Sequence, residues 1–276
     1  FTFLSILTIS LFVQSADAQS VVRGTALGGG ASGLGTIYSY NMATSSFTQN
    51  HDFDGATGGN PYAGLLQFND SLFYGLALSG ANGAGVIYEY NSNSGVYTDM
   101  YDFVSASDGS NPYGRLTLAD NGKLYSTTNS GGANSSGVIF EYDLSSNIFT
   151  TLYDFDGTNG STPYGSVFQA SDGNLYGTTL GGGANGSGVI YKYDLSTSTF
   201  SNIYDFDGTN GQFPLGELIE ATNGKFYGTT YVGGTNGVGV VFEYDISTST
   251  YTKLHDFDGT NGTYAYATVI QATNGM

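Results

Sequence analysis

The chain has no cysteine, no tryptophan and only four prolines in 276 residues, and its six lysine or arginine side chains stand against 23 aspartates and glutamates. Without cysteine there is no disulfide framework and no thiolate chemistry, and a copper site built on a cysteine-crosslinked tyrosine is excluded. A formal net charge of −17 repels phosphate backbones, which excludes a nucleic-acid partner. An anionic lipid surface is equally unsuited, whereas cations are attracted. Beyond the extreme N-terminus, no stretch places apolar residues at helical spacing. Residues 1–13 form the long apolar run, which is too short to span a membrane and has no stop-transfer flank.

That run ends near Ala16-Asp17-Ala18-Gln19, a small-x-small pattern suited to cleavage after Ala18. Residues 1–18 are therefore expected to be a signal peptide, truncated at its start because it has no initiator Met and no basic segment. The competing reading is a buried N-terminal strand. Residues 19–276 are expected to fold as one repeat domain, with no transmembrane segment once the signal is removed. An exported chain without disulfides must draw its stability from repeat packing.

What the chain has in abundance is glycine (43), tyrosine (23) and phenylalanine (18), the composition of many strands and many turns. A Tyr/His-Asp-Phe phrase recurs with its Asp at 52, 102, 154, 205 and 256, and a second phrase ending in x-Tyr starts at 36, 86, 138, 189 and 240. A fixed period of about 51 residues is the signature of one supersecondary unit packed against copies of itself. In residues 216–262, strands are expected at 217–221, 225–230, 240–244 and 251–257. A two-residue Asn223-Gly224 hairpin turn, a glycine-rich loop and an Asx/Ser-Thr turn after Asp245 separate them. Four antiparallel strands per repeat, arranged radially, make an all-β fold of the β-propeller class.

Gly224-Lys-Phe-Tyr227, Gly233-Gly234, Phe242-Glu-Tyr-Asp245 and the aromatic Tyr251 resemble a kelch repeat with Tyr or Phe in its usual Trp position. The equivalent aromatics are Phe47, Tyr97, Phe149 and Phe200. Leu175-Tyr-Gly-Thr-Thr179, Gly181-Gly182 and Asp154-Phe-Asp-Gly-Thr-Asn-Gly160 with Pro163 resemble more closely the GloVer (Gloeo/Verruco) tandem repeats. That resemblance runs from about residue 22 onward and implies export, a cell-surface location and repeat architecture; it brings no catalytic residues. The mature chain opens on a segment matching a second strand and ends on one matching a first strand, 266–272. Five kelch-like four-stranded blades are expected, with the last strand completing the first blade as a velcro closure. If the chain is a fragment, the ring has six to eight blades.

Loops after the second and fourth strands should emerge at one end, so Asp52, Asp54, Asp102, Asp108, Asp154, Asp156, Asp205, Asp207, Asp256 and Asp258 should share one acidic rim. The loop Asp-Phe-Asp-Gly-Thr-Asn-Gly is intact three times. Asp154, Asp156 and Asn159, then Asp205, Asp207 and Asn210, then Asp256, Asp258 and Asn261 have the oxygen chemistry of a calcium site. EF-hand spacing fails, however, and the same residues serve equally to satisfy backbone amides in a tight turn. The glycine-rich stretches such as 181–188 lack the helix and Lys of a phosphate cradle and read as strand connections. His51 and His255 occupy the slot of Tyr101, Tyr153 and Tyr204 and read as packed aromatics, since zinc needs three or four converging ligands.

Tyr62, Tyr113 and Tyr164 each follow a proline, and an aromatic ring beside the carboxylates of Asp154, Asp205 and Asp256 is what a sugar site uses. The other reading is that Pro-Tyr anchors the loop between blades. No constellation of general acid and base breaks the repeat symmetry, so no catalytic residue is expected. Three functions remain: a non-catalytic binding or adhesion module with several similar sites for an extracellular glycan or surface protein, a secreted polysaccharide-active enzyme, and a calcium-stiffened spacer.

Overall fold

The computed structural model describes residues 20–272, so the expected signal peptide lies outside the described residues. The first blade holds β1 (Val21–Ala26), β2 (Thr36–Asn41) and β3 (Ser46–Asp52). The second holds β4 (Leu66–Gln67), β5 (Leu72–Ala77), β6 (Val86–Asn91) and β7 (Val96–Asp102), followed by a four-residue helix α1 (Ser105–Asp108). The third holds β8 (Thr117–Leu118), β9 (Leu124–Thr128), β10 (Val138–Asp143) and β11 (Ile148–Asp154). The fourth holds β12 (Phe168–Gln169), β13 (Leu175–Thr179), β14 (Val189–Asp194) and β15 (Thr199–Asp205). The fifth holds β16 (Ile219–Glu220), β17 (Phe226–Thr229), β18 (Val240–Asp245) and β19 (Thr250–Asp256). Each sheet is an antiparallel meander in chain order, four-stranded except for the three-stranded first.

The packing follows from a sheet having two faces, each of which must be covered. The third strands are buried at nearly every position because another blade lies on both sides of most of them, whereas the fourth strands keep exposed residues toward the outside. The core accordingly sits between blades. One cluster joins Leu76 and Ile87 of the second blade to Phe103, Leu124 and Phe140, and another joins Ile139 and Phe155 to Val189 and Tyr191. In all five sheets the register between the last two strands shifts after the second residue of the earlier one, as at Ile87/Tyr88, a bulge that adds local twist. Gly75 makes room for a third-strand ring, since a Cβ there would lie 2.3 Å from Cζ of Tyr88.

Two expectations need correction. The first-to-second strand turn has three residues, not two: the amide of Ala221 bonds to the carbonyl of Lys225, and only Gly224 of the Asn-Gly pair has a positive φ, at 74°. Asn223 instead uses its side-chain oxygen to accept the amide of Lys225 at 3.1 Å. The velcro closure is also not formed. Residues 263–272 have no strand pairing, and β1 has only β2 as a neighbour. The terminal segment lies beside β16 instead, where Thr268 Oγ1 accepts the amide of Glu217 at 3.0 Å and Gln271 Oε1 accepts that of Thr222 at 2.9 Å. It thus repeats the placement of β12 beside β8, where Ser166 Oγ accepts the amide of Arg115 at 2.5 Å and Gln169 Oε1 that of Asp120 at 2.8 Å. That is the position of a following blade's first strand.

Candidate functional site

The loops that carry the Asp-Phe phrase and the glycine-rich loops do meet at one end. Backbone bridges Gly59–Ser79, Ser110–Ser130, Ser161–Gly181 and Gln212–Val232 lock each interblade connection onto the glycine-rich loop of the next blade. Within each blade, the first Asp of the phrase reaches its own glycine-rich loop. Asp52 Oδ1 accepts the amide of Ala31 at 3.1 Å, and Asp102, Asp154, Asp205 and Asp256 accept those of Ala81, Ala133, Ala184 and Thr235 at 2.7 Å. These carboxylates therefore hold loops and do not face outward from a common rim. Asp108 is a second exception: it closes α1, is 8% exposed, and accepts from the hydroxyl of Tyr101 at 2.6 Å and the amide of Val104 at 2.9 Å.

The second Asp of the phrase is exposed at 54, 156, 207 and 258. Asp156 accepts the Asn159 amide at 2.7 Å and the Asn159 side-chain nitrogen at 3.0 Å, and Asp207 treats Asn210 the same way at 2.7 and 2.9 Å. Asp258 accepts the amides of Thr260 and Asn261 at 2.8 and 2.9 Å. These amides hold the carboxyls of Asp156 and Asp258 below the usual carboxylate range. The two carboxylates of each loop thus serve different partners; Asn159 and Asn210 turn their nitrogens toward the Asp, whereas Asn261 accepts the amide of Asp258 with its side-chain oxygen at 3.0 Å. Among the described residues, no group of three or more His, Cys, Asp or Glu side chains is set to hold a metal ion.

The tyrosines behave differently, because the Pro-Tyr segments all point to the propeller axis. Pro61, Pro112, Pro163 and Pro214 are buried, and each packs over a glycine or serine loop of the preceding blade. Three residues past the loop bridges at Gly59, Ser110 and Ser161, Tyr62, Tyr113 and Tyr164 meet. Tyr113 stacks on Tyr164 with ring centres 4.8 Å apart, and Tyr62 stands edge-on to both at 5.0 and 6.0 Å. Tyr266 joins as a fourth member, its hydroxyl donating to that of Tyr164 at 2.9 Å while the Tyr164 hydroxyl donates to that of Tyr62 at 2.9 Å. Burial, followed by these two hydroxyl neighbours, raises the Tyr164 phenol well above its ordinary value. Tyr62 and Tyr266 remain 40% and 49% exposed, so the cluster has an open side.

A cavity of 510 Å³ runs along this axis, lined by the same segments. Arg115 and Glu217, which line the same cavity, form an ion pair at 3.1 Å that joins the third and fifth blades. Sequence reasoning named Tyr62, Tyr113 and Tyr164 but missed Tyr266 and the Arg115–Glu217 pair. The signal was register: Tyr266 sits 102 residues after Tyr164, and Arg115 and Glu217 both stand two residues after the axial position. Leu215 takes the tyrosine's place at the fourth of the five equivalent positions, ahead of the fifth blade. Asp154, Asp205 and Asp256, expected beside the tyrosines, do not join the cluster.

The histidines are packing residues of two kinds. His51 stacks on Tyr97 of the next blade with ring centres 3.9 Å apart, and burial lowers its pKa. His255 is exposed and meets Phe257 edge-on at 5.7 Å and Asn261 at 2.9 Å.

No helix among the described residues is long and apolar enough to cross a membrane. A search of the curated proteins finds no match. Among solved structures, the chain is similar to one in the nidogen/laminin complex, with 16% identity and a TM-score of 0.57 over 91% of this chain and 80% of that one. TolB from Acinetobacter baumannii shares 14% identity, with a TM-score of 0.52 over 86% of this chain and 53% of that one. The extracellular domain of the one-component system BT4673 from B. thetaiotaomicron shares 18%, with a TM-score of 0.56 over 81% and 26%. The chain therefore spans about half the length of TolB and about a quarter of the BT4673 chain. At these identities the likeness is one of fold, and the fold is that of a propeller. The Gloeobacter/Verrucomicrobia repeat profile matches twice, over residues 14–171 and 157–276, and the chain belongs to the Gloeobacter/Verrucomicrobia repeat family.

Proposed function

We propose that this chain is a non-catalytic binding module of an exported bacterial surface protein, and that it takes a carbohydrate at the axial tyrosine mouth. The observation that carries this reading is the convergence of Tyr62, Tyr113, Tyr164 and Tyr266 over a 510 Å³ cavity. That volume falls inside the range of about 300–1,000 Å³ typical of small-ligand sites. Half-exposed rings supply apolar stacking area, and the phenolic hydroxyls supply donors and acceptors, the two things a sugar ring asks of its site. Arg115 and Glu217 add charged groups of both signs to the lining. Repeat equivalence suggests several weak sites, but residues that meet on an axis make one site per chain. A non-catalytic role is supported by the carboxylates of the loop end, which accept backbone N–H bonds that shape their own turns. Export is supported by repeat-family membership, by the signal pattern in residues 1–18, and by the similarity to a domain described as extracellular.

A glycan array followed by titration calorimetry tests the reading. One saturable equivalent per chain, weakened at least about tenfold (about 1.4 kcal/mol) by Tyr62→Ala, is expected. No binding to any arrayed glycan, binding at several equivalents, or chemical turnover of a bound glycan would overturn it.

A further inference from the structure

Two residues after each axial position, the repeat places Gly64, Arg115, Ser166, Glu217 and Thr268 in equivalent places. Two of these serve the scaffold. Ser166 Oγ accepts the amide of Arg115 at 2.5 Å and Thr268 Oγ1 that of Glu217 at 3.0 Å, so a short hydroxyl here ties a repeat to the one before it. The side chains of Arg115 and Glu217 take no such part. They line the axial cavity and meet each other there.

This ion pair is unlike those within the blades. In the third blade Glu141 spends one oxygen on Lys123 Nζ and the other on the Tyr125 hydroxyl, both at 2.6 Å, and in the fifth Glu243 is filled the same way by Lys225 and Tyr227. Glu217 gives only Oε2 to Arg115, which meets it through Nε at 3.1 Å. Among the described residues, neither Oε1 of Glu217 nor the Nη groups of Arg115 have a hydrogen-bond partner; the bonds these two residues make run through their backbones. Arg115 is also the one exposed cation among the described residues, its side chain 61% exposed against 19% for Glu217. The cavity therefore offers an acceptor and several donors side by side, and their charges cancel.

We propose that the axial site selects an uncharged sugar, with Arg115 and Glu217 as its specificity-determining pair. Oε1 of Glu217 accepts from one sugar hydroxyl, and the Nη groups of Arg115 donate to the adjacent one. A hydroxyl both donates and accepts, so two neighbouring hydroxyls satisfy a carboxylate and a guanidinium together. An ionised ligand satisfies only one of them. A uronate would suit Arg115 but face Glu217, in a chain whose formal charge is already −17. An ammonium sugar would meet the more exposed guanidinium first. Like charges brought together in this way reject the wrong ligand. The inference rests on the carbohydrate reading of the tyrosine mouth and names the class of sugar that mouth takes.

Titration calorimetry against three matched sets of oligosaccharides tests it: neutral hexoses, the corresponding uronates and the corresponding free-amine sugars. The neutral set should bind at least about tenfold tighter than either charged set, with a dissociation constant that changes less than about twofold between low and physiological salt. Glu217→Gln keeps the shape of the pair and leaves Arg115 uncompensated, so uronates should gain at least about tenfold on neutral sugars. Arg115→Gln, at an exposed position, should shift the preference toward free amines instead. Circular dichroism should show both variants folded. A pair that only braced the blades would alter melting in these variants and leave the ratios of affinity where they were. A wild-type preference for uronates or free amines overturns the proposal, as do ratios that neither substitution moves. Neutral and charged sugars bound alike would keep the mouth as a carbohydrate site and remove the role of the pair. Binding of none of the three sets would remove the carbohydrate reading and this inference with it.

Discussion

The hydroxyl of Tyr164 donates to the hydroxyl of Tyr62 at 2.9 Å across 102 residues of chain. Two residues so far apart can share a proton only because every repeat delivers the same atom to the same axis. The Tyr164 hydroxyl also accepts from Tyr266, so it is the middle of a three-membered chain.

Tyr164→Phe should therefore cost more than a peripheral hydroxyl. It leaves the ring contacts intact but strips Tyr266 of its acceptor and Tyr62 of its donor. A loss of about 0.5–1.5 kcal/mol in denaturant unfolding is expected for each net hydrogen bond removed. Tyr113→Phe, whose hydroxyl is outside this chain of bonds, should cost less in the same measurement.

The Asp205 to Ala184 contact predicts a second pair of effects. Oδ1 of Asp205 fixes the glycine-rich loop at 2.7 Å, and a Cβ on Gly183, whose φ is +77°, would lie 2.4 Å from that same oxygen. Asp205→Ala removes a charge-assisted bond and should destabilise by about 1.5–3 kcal/mol. Gly183→Ala adds backbone strain of about 1–3 kcal/mol to a clash. Asp205→Asn keeps the acceptor and should sit between wild type and Asp205→Ala in thermal unfolding.

Much of this geometry was readable in the amino-acid order. The 51-residue period set the sheets, because a strand that recurs at a fixed step must be packed by its own copies. The aromatic slot from Phe47 to Tyr251 was legible as packing for the same reason. What the order of residues did not carry was angle. Whether the terminal segment near Ile270 meets β1 depends on the rotation between blades, a sum of small twists that no single residue declares. Equally, the order of residues names the carboxylate of Asp154 but not its partner, because the amide of Ala133 is a backbone atom that any residue could supply. Arg115 and Glu217 occupy equivalent positions of two repeats, but only the axis turns them into one ion pair.

Asp99 gives a pH dependence with a definite sign. It lies on β7 at the position filled elsewhere by Gln49, Thr151, Asn202 and Lys253. Burial first, and the neighbouring Asp102 second, push its carboxyl up to about 6 from 3.8. Because the folded state holds this proton more tightly, the contribution to stability is full below pH 3.8 and is lost as pH rises through about 6. Asp99→Asn should therefore raise the melting temperature at pH 7–8 and leave it unchanged at pH 4, by under about 1 kcal/mol once solvent screening is allowed for. Stabilisation at pH 4 equal to that at pH 8 would contradict the assignment.

The Asp156–Asn159 turn predicts indifference to calcium. Asp156 spends one carboxylate oxygen on the Asn159 amide and the other on the Asn159 side-chain nitrogen, while Asp154 is held by Ala133 in a different loop. To ligate a cation, the Asn would have to flip its amide and the two carboxylates would have to converge, breaking contacts that define the turn. An ion that bound the folded state would stabilise it by RT ln(1 + [L]/Kd), about 2.7 kcal/mol at a hundredfold excess over Kd. Melting curves in millimolar calcium and in chelator should superimpose, and Asp156→Asn, which keeps an acceptor for the turn, should melt close to wild type in both. A calcium-dependent rise that Asp156→Asn abolishes would show that these loops rearrange around the ion after all.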